Sequence, residues 1–228
     1  RETSADMCGI AGYSGTRELD PERIERCLAL MRHRGPDAAA HRHWLGSKGR
    51  HTHLLHTRLT IIDFDERANQ PFHFGSKWLC TNGELYNYVE IRAALAARGL
   101  EFRTTSDTEV LAVALAQDGW NALDACEGMW AFALYDEADG SLGLCRDRFG
   151  EKPLYYLRTD DGLFFGSEAK FVAALAGRRL EPNLDHVYRY LVNGYKALYK
   201  RPATFFLGLE ELPPGSVLML DSAGAETA

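Results

Sequence analysis

Residues Gly128-Met129-Trp130-Ala131-Phe132-Ala133-Leu134-Tyr135-Asp136 are apolar at odd and even positions alike, so as a strand this segment needs cover on both faces. Asp139-Gly140 supplies a turn and Leu142-Gly143-Leu144-Cys145-Arg146 returns, which reads as a hairpin buried on both sides. Such a hairpin cannot lie on a surface; it requires packed layers above and below it. Further short strands are expected at 8–13, 51–58, 59–63, 77–82, 153–157 and 162–166, and helices at 21–33, 88–98, 107–118 and 184–192. Ser106-Asp107-Thr108-Glu109 reads as a capping box opening the third of these helices, and Gly99 as the stop of the second. Two stacked sheets with helices outside accommodate all of these segments.

The 228 residues are 46% hydrophobic and 25% charged, an ordinary globular composition. A net charge of -6 gives no attraction to a phosphate backbone or an anionic membrane, so neither nucleic acid nor a membrane is an expected partner. No apolar run approaches the roughly 20 residues of a spanning helix, and the polar start lacks a signal-peptide core, so the expected compartment is the cytoplasm. Five scattered cysteines without a C-x-x-C pair imply neither a disulfide framework nor a thiolate metal site. Cys27, Cys80, Cys126 and Cys145 read as small core residues, whereas Cys8 stands apart.

Four features are candidates for chemistry. Asn82-Gly83-Glu84 follows an apolar strand and joins a carboxamide, an unencumbered backbone N–H and a carboxylate, of which the amide side chain and the glycine N–H are the donors an oxyanion hole needs. By itself the tripeptide reads first as a strand-ending turn. Arg58 interrupts an otherwise apolar stretch, where a guanidinium calls for a carboxylate of the protein or of a ligand. His33-Arg34-Gly35-Pro36-Asp37 reads by default as a solvated loop. His51, His53 and His56 have strand spacing, but no Cys or acid accompanies them at ligand distance, and no metal is expected.

Taken together the motifs resemble the class II glutamine amidotransferases, and within them the glutaminase half of asparagine synthetases. The resemblance is carried by Met7-Cys8-Gly9-Ile10-Ala11-Gly12, Arg32-His33-Arg34-Gly35-Pro36-Asp37, His56-Thr57-Arg58-Leu59-Thr60-Ile61-Ile62-Asp63, Asn69-Gln70-Pro71-Phe72, Asn82-Gly83-Glu84-Leu85-Tyr86-Asn87 and Ser106-Asp107-Thr108-Glu109. It continues through Arg146-Asp147-Arg148-Phe149-Gly150-Glu151-Lys152-Pro153 and Phe165-Gly166-Ser167-Glu168-Ala169-Lys170, collinear over about 7–174. It implies an α+β fold, the N-terminal-nucleophile (Ntn) hydrolase four-layer α-β-β-α sandwich of two largely antiparallel sheets. It also implies Cys8 as nucleophile with its own α-amino group as base, Asn82 and Gly83 as oxyanion donors, and Arg58, Ile61, Glu84 and Asp107 as the glutamine-binding residues. Arg146, Asp147 and Arg148 are expected to be structural or to lie at the interface between halves, and the loop around residues 69–75 to serve as a lid.

The domain expected from this resemblance covers 8–175. Residues 1–7 read as an N-terminal extension or tag remnant, with Met7 as natural initiator, and 176–228 as a C-terminal extension or linker toward an ATP-pyrophosphatase synthetase domain. No Ser-Gly-Gly-x-Asp-Ser or Walker A loop occurs, so no cofactor is expected in this chain, and ATP and Mg²⁺ only in the synthetase domain. The implied partners are L-glutamine and that synthetase domain, in cis or in trans, with a homodimer left open. Two other readings stand beside glutamine hydrolysis: a catalytically silent docking or regulatory module, and a stand-alone amidase of the same fold.

Overall fold

The computed structural model describes residues 7–198 and 200–227, so most of the expected N-terminal extension lies outside the described residues. Strands β1 (Gly9–Gly15), β2 (Ala38–Leu45) and β3 (His51–Arg58) join β8 (Tyr155–Thr159), β9 (Gly162–Gly166) and β10 (Leu209–Glu211) in one sheet, ordered β10-β8-β9-β1-β3-β2. The second sheet contains β4 (Phe72–Phe74), β5 (Lys77–Leu85), β6 (Gly128–Asp136), β7 (Ser141–Arg146), β11 (Val217–Leu220) and β12 (Glu226–Thr227), ordered β12-β11-β7-β6-β5-β4. Every strand pair in both sheets is antiparallel.

The two-residue period of a strand sends alternate side chains into different cores. Ile10, Leu54, Cys80, Ala131, Ala133, Leu144 and Phe165 meet between the sheets. Ala11, Tyr13, Leu55 and Phe164 face outward under helices α1 (Pro21–Met31) and α4 (Ala169–Ala176). On the other side Leu79, Leu85, Phe132 and Leu134 lie beneath α3 (Asp107–Asp118), against which α2 (Tyr88–Ala97) packs. The layers are therefore helix, sheet, sheet, helix, as the doubly apolar hairpin at β6–β7 requires. No helix among the described residues is long and apolar enough to cross a membrane.

Several expectations are corrected. Residues 59–63 form no strand, because the chain leaves the sheet after Arg58 and Asp63 adopts a positive φ of 62°. Strand β2 went unread because its edge position leaves it half exposed and polar. The capping box is only half formed: Ser106 Oγ accepts from the Thr108 N–H at 3.1 Å, but Glu109 turns back to accept from the N–H groups of Arg103 and Thr104 at 2.9 and 2.7 Å. Nor do the sheets end at residue 175. β10 extends the first sheet beside β8 and β11 the second beside β7, so the segment read as a linker is woven into both. The helix α5 (Leu184–Asn193) precedes those strands and leaves Leu184, Tyr188, Leu191 and Val192 exposed.

Candidate active site

The alternation that divides the cores also assembles a site. Cys8, just before β1, shares its parity with Ile10; Arg58 shares it with Leu54, and Asn82 and Glu84 with Cys80, so all four project into the space between the sheets. There a cavity of about 280 Å³ is lined by Cys8, Arg58, Ile61, Asn82, Gly83, Glu84 and Asp107, which is every residue expected from the sequence to act. A larger groove, about 880 Å³, lies outside the first sheet, lined by Arg23, Arg26, Arg178 and Arg179 among others, and contains none of them.

Cys8 is held on several sides. The Leu59 N–H donates to its Sγ at 3.4 Å, and Arg34 Nε donates to its carbonyl oxygen at 3.0 Å. Arg34 in turn pairs with Glu168 at 3.0 Å, and Ser167 exchanges bonds with Ile10, its Oγ accepting the Ile10 N–H at 3.1 Å. The motif read as a solvated loop is thus a buried brace for the backbone of Cys8. Gly35 belongs to it because a Cβ there would lie 2.4 Å from backbone atoms of Thr57. Burial pushes the Cys8 thiol above its ordinary pKa, outweighing the Leu59 N–H and the charges of Arg58 and Arg34.

Asn82-Gly83-Glu84 is not a turn. All three residues lie inside β5, paired with Ala131, Trp130 and Met129. Thr81, Gly83 and Leu85 direct their N–H groups to the same side of the strand, away from β6, by the alternation of an antiparallel ladder. Thr81 donates to Gln70 Oε1 at 2.6 Å and Leu85 to Asp107 Oδ2 at 3.1 Å. Between them the Gly83 N–H meets no acceptor among the described residues. The Asn82 Nδ2 is likewise buried without a hydrogen-bond partner, in a residue that is 1% exposed. Two unspent donors on consecutive residues, facing a cavity that also holds a thiol, suit an oxygen that acquires negative charge.

At the rim, Asp107 heads α3 and is raised above the usual carboxylate pKa by burial, with the nearby charge of Glu84 adding to the effect. Paired carboxylates of this kind favour a cationic group. Arg58 hydrogen-bonds to no carboxylate among the described residues. Its terminal nitrogens donate to the carbonyls of Ile62, Asp63 and Asp65 and to Asn69 Oδ1, at 3.2 Å for Ile62, 3.1 Å for Asp65 and 2.8 Å for Asn69. The guanidinium therefore shapes the loop that follows it. That loop carries the exposed Ile61 and Phe64, whereas the expected lid at 69–75 is fixed by buried Gln70 and by β4. Lys152 also lines the cavity and was not singled out; burial lowers its pKa, and Cys8 lies within its electrostatic reach. Its signal was the loop before it, where Asp147 accepts the N–H groups of Phe149, Glu151 and Lys152 and Arg146 donates to the carbonyls of Gly150, Lys152 and Leu212.

A cysteine poised at the open end of two stacked antiparallel sheets defines the class of the fold, that of the N-terminal-nucleophile hydrolases. The chain belongs to the glutamine amidotransferase domain family, whose model matches residues 7–228. It is 33% identical over 217 residues to asparagine synthetase [glutamine-hydrolyzing] 1 of Bacillus subtilis, covering 92% of this chain and 33% of that protein. It is 34% identical over 206 residues to asparagine synthetase [glutamine-hydrolyzing] of Zea mays, covering 86% and 33%. The chain thus spans about one third of the length of these relatives. The solved glutamine phosphoribosylpyrophosphate amidotransferase from B. subtilis, complexed with ADP and GMP, superposes with a TM-score of 0.70 at 20% identity over 96% of this chain and 49% of that one, which supports the fold.

Proposed function

We propose that this chain hydrolyses L-glutamine to L-glutamate and ammonia through a Cys8 thioester. The observation that carries the reading is the pair of unpartnered donors, Asn82 Nδ2 and the Gly83 N–H, in the cavity that holds the thiol. With its α-amino group free, Cys8 supplies a base of pKa about 7.7–8.0, able to take the thiol proton at neutral pH. Sγ then bonds to the side-chain amide carbon, and Asn82 and Gly83 hold the resulting oxyanion. The proton passes from the α-ammonium to the departing nitrogen, releasing ammonia and leaving the thioester. Water, deprotonated by the same amine, cleaves the thioester to glutamate and free thiol. Glu84 and Asp107 bind the α-ammonium of glutamine. Arg58 meets its α-carboxylate, either beside or in exchange for the carbonyls it now holds.

Ammonia from this site serves ATP-dependent amide formation on aspartate or a related carboxylate, in a synthetase domain present in cis or in trans, within the cytoplasm. The names and greater length of the asparagine synthetase relatives support this, and the exposed apolar row on α5 suits a protein surface placed against it. ATP and Mg²⁺ belong to that domain, and we assign no site for them here. The test is the intact mass of a chain beginning at Cys8 after exposure to an electrophilic glutamine analogue. One adduct, prevented by free glutamine and absent when Met7 remains attached, is expected; no adduct on the free-amine chain would overturn the reading.

A further inference from the structure

Four histidines meet on the outer face of the first sheet, at the end of the β2–β3 hairpin. Each strand carries a His-x-His pair, His41 and His43 on β2 and His51 and His53 on β3, and a spacing of two puts both members on one face. The antiparallel register sets His43 opposite His53 and His41 opposite Leu55, whose side chain lies in the outer core. His56, which the sequence grouped with His51 and His53, points the other way, so the fold replaces it with two histidines from a strand that went unread. One ring nitrogen from each of His43, His51 and His53 lies within 4.8 Å of the others.

The spacing of the His43–His51 pair is close to that of a coordination sphere. His43 Nε2 and His51 Nδ1 are 2.9 Å apart, and the His43 and His53 ring centroids are 4.2 Å apart. Two nitrogens bound to one tetrahedral Zn²⁺ at 2.0–2.1 Å are separated by roughly 3.3 Å. His53 is 1% exposed, and its Nε2 has no hydrogen-bond partner among the described residues. Its Nδ1 is engaged by His41, the arrangement in which one ring nitrogen is fixed by a neighbour and the other left for a metal. The adjacent cations are turned away: Arg42 lies over the Trp78 ring and Arg50 donates to Ser14. Glu18, in the loop between β1 and α1, is the carboxylate whose charge acts on His43.

We propose that His43, His51 and His53 form a binding site for a borderline divalent transition-metal ion, Zn²⁺ in the first instance, with His41 positioning His53. Imidazole donors favour such ions over Mg²⁺ or Ca²⁺. The site clamps the edge strand β2 to β3. It lies on the face of the sheet opposite Arg58, and His53 is about 17 Å along the strand from that residue, so an ion here acts on stability and not on the glutamine cavity.

The test uses the untagged chain with Cys8→Ser, which removes the accessible thiol as a competing ligand, titrated with ZnCl₂ after chelator treatment. One saturable Zn²⁺ per chain is expected, with a rise in Tm of about 5 °C or more at a hundredfold excess over Kd. X-ray absorption should report a shell of three imidazole nitrogens, and Mg²⁺ should not bind. The pair His43→Ala and His51→Ala, at the more exposed end of the cluster, should weaken Zn²⁺ binding at least tenfold, and the same pair in the chain with Cys8 intact should leave metal-free glutamine-analogue labelling unchanged. His51→Asn alone serves if the pair fails to fold. Unaltered Zn²⁺ affinity in these variants, or no saturable site at all, overturns the proposal.

Discussion

His56 Nε2 lies 3.1 Å from the carbonyl oxygen of Thr81, a single buried hydrogen bond that ties β3 to β5 one residue before Asn82. A carbonyl can only accept, so Nε2 carries the proton. The bond spans the two sheets where the strand bearing Arg58 passes the strand bearing Asn82 and Gly83.

Burial holds the His56 pKa down to about 4, the Thr81 carbonyl opposing and the Arg58 charge assisting. In the unfolded chain the same imidazole titrates near its ordinary value of about 6.5. Between those values the unfolded state binds a proton that the folded state refuses, so stability contributed by neutral His56 falls as the pH drops from about 6.5 toward 4. At full slope this single group costs about 1.4 kcal/mol per pH unit. Urea denaturation across that range should show His56→Gln, which keeps an N–H donor but does not titrate, with a shallower acid slope than the parent. Superimposable slopes would mean that His56 takes up its proton without unfolding.

Asn82→Ala removes one of the two proposed oxyanion donors and little else, since the amide nitrogen has no partner to lose. Steady-state glutaminase assays of the chain with a free Cys8 amine should show kcat lowered about 10²- to 10³-fold with KM little changed. A loss confined to KM would assign Asn82 to substrate binding.

Arg34 touches no substrate in this reading; it holds the carbonyl of Cys8 and is anchored by Glu168. Arg34→Met should leave that carbonyl and Glu168 short of a donor, destabilising the fold by about 1–3 kcal/mol. The thiol should also be less well placed, so kcat should fall while Kd for glutamine stays within a few-fold, as read by equilibrium binding against single-turnover rates. An unchanged kcat in a folded variant would confine Arg34 to stability.

Gly83 has no room for a side chain, because a Cβ would sit 2.4 Å from the Met129 carbonyl oxygen and 2.7 Å from Trp130 Cα. Gly83→Ala must part β5 from β6, at a cost of roughly 1–3 kcal/mol, and must shift the N–H that faces the cavity. Chemical denaturation should show the lower midpoint, and the glutaminase rate should fall in the fraction that remains folded. A variant of parental stability would show that the strands part without strain.

Much of this was legible beforehand because strand and helix periods are local. The doubly apolar β6–β7 hairpin announced stacked layers, and the run of motifs from Cys8 to Lys170 contained most residues of the cavity, although Lys152, Gln70 and Met129 carried no expected role there. Two elements escaped for different reasons. Polar β2 becomes a strand only by pairing with β3, and α4 is short and uncapped by a side chain.

The sequence by itself determined which strand faces are apolar and which side chains bring a thiol, a carboxamide or a charge, since these follow from the residue types and from neighbours a few positions apart. The tertiary structure decided which of them meet: that Arg34 braces Cys8, that Arg58 spends its donors on its own loop, that Asn82 and Gly83 lie within a strand, and that the histidines of β2 face those of β3. Those partnerships depend on strand register and on the stacking of two sheets, which bring together residues as distant as Arg34 and Glu168, and no local period encodes them.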